Sequence, residues 1–89
     1  LIYIKAQIHK RRKEYDQAEA FYKEIIENNQ EEIRCDNAMM ELAEMYENIL
    51  GRPEEAKDLY EKIFLDFSNS TFAIEARKRF RILRGDEIQ

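Results

Sequence analysis

Apolar residues fall along the chain in five stretches, each spaced as on one side of a helix. Over about residues 1–12, Ile4 and Ile8 stand one turn apart, with Ile2 and Ala6 beside them. Over 15–28, Ala18, Phe21, Tyr22, Ile25 and Ile26 follow the i, i+3, i+4, i+7, i+8 spacing of an amphipathic helix. Over 31–49 the stripe is Ala38, Met39, Leu42, Met45, Tyr46 and Ile49. Asn29 followed by Glu32 has the form of a capping box at its start, and Gly51 offers the left-handed residue that ends it. Pro53 suits the first position of a fourth helix, where a missing N–H costs nothing. Glu54 and Glu55 then favour the positive end of the helix dipole. That helix reaches Asp66 and holds Ala56, Leu59, Tyr60, Ile63 and Phe64. Ser68 or Ser70 caps a fifth, about 69–84, with Phe72, Ala73, Ala76, Phe80 and Leu83 inside and Gly85 as its stop. Arg77, Lys78, Arg79, Arg81 and Arg84 load its C-terminal half, where cations suit the dipole. Residues 86–89 are expected to fray.

Two of these stretches repeat each other. Residues 16–26 align with 54–64 at a lag of 38, pairing Ala18 with Ala56, Phe21 with Leu59, Tyr22 with Tyr60, Ile25 with Ile63 and Ile26 with Phe64. The preceding helices align at a lag of 37, pairing Ala6 with Ala43, Ile8 with Met45 and His9 with Tyr46, so the turn at 50–52 holds one extra residue. The unit is a helix–turn–helix used twice, with a further helix after it.

These residues resemble the tetratricopeptide repeat (TPR) family. Leu42-Ala43, Tyr46, Ala56, Tyr60 and Ile63 fit its pattern, with Ala43 in place of Gly, and Ala6, Tyr15, Ala18, Tyr22 and Ile25 fit it in the first unit. Lys5 and His9 stand where the family has Leu and Tyr. Gln30 and Ser68 replace its loop-closing Pro, and the lag of 38 exceeds the family's repeat of about 34 residues. The stretch Asp66-Phe67-Ser68-Asn69-Ser70, leading into Ala73 and Ala76, resembles linkers of bacterial cell-envelope TPR proteins. The chain as a whole resembles the C-terminal part of such a protein. The resemblance implies an all-α superhelix over 1–85: repeat one about 1–29, repeat two about 31–67, and a capping helix. Small residues would let paired helices touch, and aromatics would fill the gaps between pairs.

Composition agrees with an all-α chain and removes alternatives. With two Gly, one Pro and no Val in 89 residues, the turn signals of a β-sandwich are missing. Apolar residues make up 44%, too many for a disordered chain. Nothing approaches 18 consecutive apolar residues, so no membrane insertion is expected. The chain starts at Leu1 without a Met or a signal-peptide pattern and reads as a piece of a longer protein, of the cytoplasm or a bacterial periplasm.

Charge is uneven. Residues 1–13 carry five bases and no acid, residues 14–67 sixteen acids against five bases, and residues 68–89 three acids against five bases. Basic ends flank an acidic middle, unlike a nucleic-acid domain that is basic over a whole face.

Catalytic chemistry finds little to work with. The one Cys, Cys35, excludes an internal disulfide and a cysteine-built zinc site, and the one His, His9, excludes a site needing two imidazoles. Cys35 reads as a small buried apolar side chain, with a reactive thiol as the other reading. His9 has no acid within one turn and reads as packing where the family has Tyr. Both Gly read as helix caps rather than a phosphate loop, and the acids as an ordinary solvated surface. Lys10-Arg11-Arg12-Lys13 is either a helix C-terminus favoured by the dipole or a patch for nucleic acid or anionic lipid. Arg77, Arg81 and Arg84 form a stripe that is either solvated or grips an acidic partner.

No enzyme activity, cofactor or metal is expected. The family resemblance implies a protein-interaction scaffold that binds a peptide or partner protein in a concave groove, and not nucleic acid. Aligning the first helices by Ala6 and Ala43 puts Tyr3, Gln7 and Lys10, and Met40, Glu44 and Glu47, on that groove, with Arg77 and Arg81 on the fifth helix. The alternative is a structural spacer that self-associates as a homo-oligomer through exposed repeat ends.

Overall fold

A computed structural model describes residues 2–28 and 35–85. They form five helices: α1 Ile2–Arg11, α2 Tyr15–Asn28, α3 Cys35–Asn48, α4 Pro53–Asp66 and α5 Ala73–Arg84. Among the described residues there is no strand, as the scarcity of turn residues and the helical periodicity require. Tyr15–Asn28 and Pro53–Asp66 carry the bounds expected from the sequence. The Asn29–Glu32 capping box and the frayed tail at 86–89 lie outside the described residues.

The chain divides into two compact units, residues 1–38 and 39–89. In the first, α1 and α2 pack as a hairpin. The turn between them closes without glycine. Lys13 takes φ +66°, the Glu14 N–H donates to the His9 carbonyl at 2.8 Å, and the Lys13 N–H donates to the Lys10 carbonyl at 3.0 Å. These are the two bonds of a Schellman cap, with a lysine where glycine would be unstrained. Ala18, Tyr22, Ile25 and Ile26 of α2 are buried, the stripe its spacing predicts, while Phe21 is half-buried.

The inward face of α1 is not the expected one. Ile4 and Ile8 are 52% and 42% exposed, while Tyr3 is 8% exposed and Ala6 is fully covered. Tyr3 brings more apolar area than either isoleucine. Its hydroxyl stays satisfied by accepting from the Gln7 amide at 3.2 Å. Tyr3, which the alignment by Ala6 places on the groove, belongs to the core.

In the second unit α4 and α5 pack together. Ala56, Tyr60 and Ile63 of α4 and Ala73, Ala76 and Phe80 of α5 are buried, and Phe64 meets Phe80 edge-to-face at 5.3 Å. α3 is covered on several sides: Met39, Met40, Leu42, Ala43, Met45 and Tyr46 are all buried. That is the mark of a helix inside a core rather than on its surface. Ile49 lies just past the helix and is exposed. Gly51 and Gly85 take φ +65° and +93°, the left-handed conformations expected of helix stops. α5 starts later than the serines suggested. Its N-cap is Phe72, which makes no side-chain cap bond, and Ser70 Oγ, two residues upstream, instead accepts from the Phe72 N–H at 3.0 Å.

Two predictions follow from these positions. Ala18 and Ala56 are fully buried, so Ala18→Leu and Ala56→Leu should each destabilise by roughly 1–3 kcal/mol in urea unfolding; neutrality at both would contradict the close helix approach. Lys13→Gly should stabilise by about 0.5–1 kcal/mol, by relieving a left-handed lysine without disturbing the cap. A lower melting temperature for this variant would contradict it.

Candidate functional site

The densest polar cluster of the second unit is built from three helices. Glu47, in the last turn of α3, receives the Tyr60 hydroxyl of α4 at 2.8 Å on Oε1. Arg79 of α5 donates its Nε to the same oxygen at 3.2 Å and a terminal nitrogen to Oε2. A planar guanidinium meets both carboxylate oxygens, the strongest form of such a pair. The Glu47 side chain is only 10% exposed.

Burial works against the charged carboxylate, but the hydrogen bonds from Arg79 and Tyr60 and the Arg79 charge outweigh it, so Glu47 ionises below the usual carboxylate range. Burial, then the bond to Glu47 and the nearby charges of Glu47 and Glu44, push the Tyr60 hydroxyl well above its ordinary range. Arg79 is held protonated chiefly by its bond to Glu47. The cluster is therefore carboxylate, neutral phenol and cation together. It binds helices to one another and presents no group poised to gain or lose a proton near neutrality.

Nearby, Arg52 at the start of α4 grips Glu55 at 2.6 and 3.2 Å and lies over the Tyr46 ring at 4.7 Å. In the first unit His9 stacks on Phe21 at 5.4 Å, and its Nδ1 meets Glu14 Oε1 at 2.6 Å. His9 thus does have an acid partner. The left-handed turn at Lys13 folds Glu14 back onto the helix end, which counting turns along a straight helix misses.

The groove residues expected from the sequence meet different fates. Tyr3 and Met40 are buried, because α1 turns Tyr3 inward and α3 is covered around Met40. Glu47 is committed to Tyr60 and Arg79. Glu44, Arg77 and Arg81 are exposed, and Gln7 and Lys10 are half-buried. Gln7 is bonded to Tyr3. Arg77 places its guanidinium 5.6 Å above Phe64. The cluster's cation is Arg79, which the arginine stripe passed over. The clue was available: Arg79 lies one residue before Phe80, and so flanks the buried stripe of α5.

Among the described residues, no group of three or more His, Cys, Asp or Glu is placed to hold a metal ion, and no helix is long and apolar enough to cross a membrane.

The cluster sets a pH dependence. Because the folded-state carboxyl of Glu47 lies below its ordinary 4.5, its contribution is present above that pH and lost as pH falls through the folded value. The Tyr60 contribution is present below the ordinary 10.0 and declines as pH rises beyond it. Glu47→Gln should flatten the acid limb of a stability–pH curve and Tyr60→Phe the alkaline limb; unchanged limbs in both variants would contradict the cluster's charge states. Tyr60→Ala should cost roughly 3–5 kcal/mol, as for other large buried aromatics, and Tyr60→Phe about 1–2 kcal/mol for the lost bond.

Comparison with known proteins gives one family match. Residues 37–70 match the model of the tetratricopeptide repeat, a stretch that holds most of α3, all of α4 and the turn after it. No curated protein matches the chain, and no solved structure matches it. Over residues 37–70, around Leu42-Ala43, Tyr46, Ala56 and Tyr60, the chain is similar to the tetratricopeptide repeat family.

Proposed function

We propose that the chain is a protein-interaction module that binds a peptide or partner protein and has no catalytic activity of its own, with residues 1–85 as one repeat domain. The observation that supports this most is the repeat match over 37–70, since stacked helical repeats of this kind serve generally as binding scaffolds. The residues proposed to meet a partner are Gln7 and Lys10 on α1, Glu44 on α3, and Arg77 and Arg81 on α5. Tyr3 and Met40, being buried, act by holding their helices in place. Glu44 is exposed in a middle region carrying sixteen acids against five bases, so the partner at α3 is basic or of mixed charge. A bacterial origin rests on the loop at 66–70 alone.

A spacer that self-associates is the second reading, and it is favoured by Ile4 and Ile8, exposed one turn apart on α1. A mass that rises with concentration, and stops rising in Ile4→Ser with Ile8→Ser, would support it.

The main test is a titration with a lysine-rich helical peptide at low and physiological salt, beside a generic DNA duplex. The peptide should bind, lose affinity with salt, and bind Glu44→Lys more weakly by roughly 3–10-fold. Glu47 is left unaltered, because its removal would break the helix cluster. Micromolar binding of the duplex, falling with salt along a slope of several counterions, would overturn the protein-binding reading.

A further inference from the structure

The outer face of α5 carries an apolar ridge inside a basic field. Ile74 is 84% exposed and Ile82 41% exposed, and Lys78, also exposed, stands between them at i+4. Positions i, i+4 and i+8 share one side of a helix, so the two isoleucines lie about 12 Å apart along it. Arg77 and Arg81 are exposed beside this line, and Glu75 is the one acid in the helix. The other side of α5 is taken up by Ala73, Ala76 and Phe80, which are buried, and by Arg79, bound to Glu47.

Solvation accounts for the bases but not for the isoleucines. A lone exposed apolar residue is ordinary; two aligned on one face, with Arg77 and Arg81 along one side of the line and Glu75 on the other, match the pattern that seats a helix. A ridge of period four fits an amphipathic helix with apolar residues at i, i+3 or i+4, and i+7. The flank bearing Arg77 and Arg81 selects acids on that helix. Phosphate backbones would leave Ile74 and Ile82 in water. A bilayer would need a broad continuous apolar face, and here a lysine stands between two side chains.

We propose that the outer face of α5 docks an acidic amphipathic helix of a protein partner. Ile74 and Ile82 seat against its apolar side, the Lys78 stem lies between them, and Arg77 and Arg81 pair with its acids. The inference rests on the protein-binding reading, but it uses a different helix and the opposite charge from the Glu44 contact.

The probe is a synthetic helix of about 18 residues, long enough to be partly helical in water, with leucines at i, i+4 and i+7 flanked by glutamates. It is titrated against the full chain by fluorescence anisotropy. Saturable binding is expected, weakened roughly fivefold or more by Ile74→Ser with Ile82→Ser and again by Arg81→Glu, as for truncation of central anchors. Glu44→Lys should leave it unchanged. Both α5 variants alter exposed side chains, so their helical circular dichroism and melting serve as the folding control. Absence of saturable binding, or equal binding by the serine variant, overturns the proposal. So does tighter binding to phosphatidylserine vesicles or to a DNA duplex that the same variants abolish. Loss of the acidic probe with retention of the lysine-rich peptide removes this surface and leaves the proposed function standing; the reverse pattern removes the Glu44 contact instead.

Discussion

Helix axes approach closely only where the facing side chains are small, and each of the five described helices carries at least one buried alanine. Ala6 in α1, Ala18 in α2, Ala38 and Ala43 in α3, Ala56 in α4, and Ala73 and Ala76 in α5 are all buried. Around them Tyr22, Tyr46 and Tyr60, almost wholly enclosed, fill the volume that the small residues leave. With one Pro and two Gly in the chain, the helices owe little to loop chemistry. Within each unit the packing combines very small and very large buried side chains.

How much of this was legible in the sequence depended on periodicity. The Ala18–Tyr22 and Ala56–Tyr60 pairs announced themselves by recurring at a fixed lag, and their helices have the expected bounds. α1 was misread because it carries two apolar lines side by side. Ile4 and Ile8 make one, Tyr3 and Ala6 the other, and spacing alone cannot say which turns inward. On α3 the buried face is wider than one stripe and reaches Met40, leaving only Asn37, Glu41, Glu44 and Asn48 as a polar strip, and spacing alone does not show that width. The His9–Glu14 contact required a left-handed lysine, and no residue preference points to one.

Glu47 marks a further boundary of sequence reading. Its position on α3 says only that it lies near the edge of the buried stripe. Whether such an acid faces solvent or neighbouring helices depends on what those helices bring to it, and here they bring a phenol and a guanidinium. The same partners that make Glu47 tolerable in a largely covered place occupy both of its oxygens. The exposed acidic character of α3 is thus narrower than its composition suggests, since Glu47 is covered while Glu44 is exposed.

The Glu47–Arg79 pair also joins points 32 residues apart along the chain, whereas the α1–α2 and α4–α5 hairpins close over short turns. Contacts between nearby segments form with little loss of chain entropy, and those that close long loops wait for them. On that account the carboxylate bridge is expected to form after the hairpins. An interaction absent from the transition state acts mainly on the rate of unfolding. The bridge is then expected to bear on how long the second unit persists once folded, more than on how quickly it arrives there.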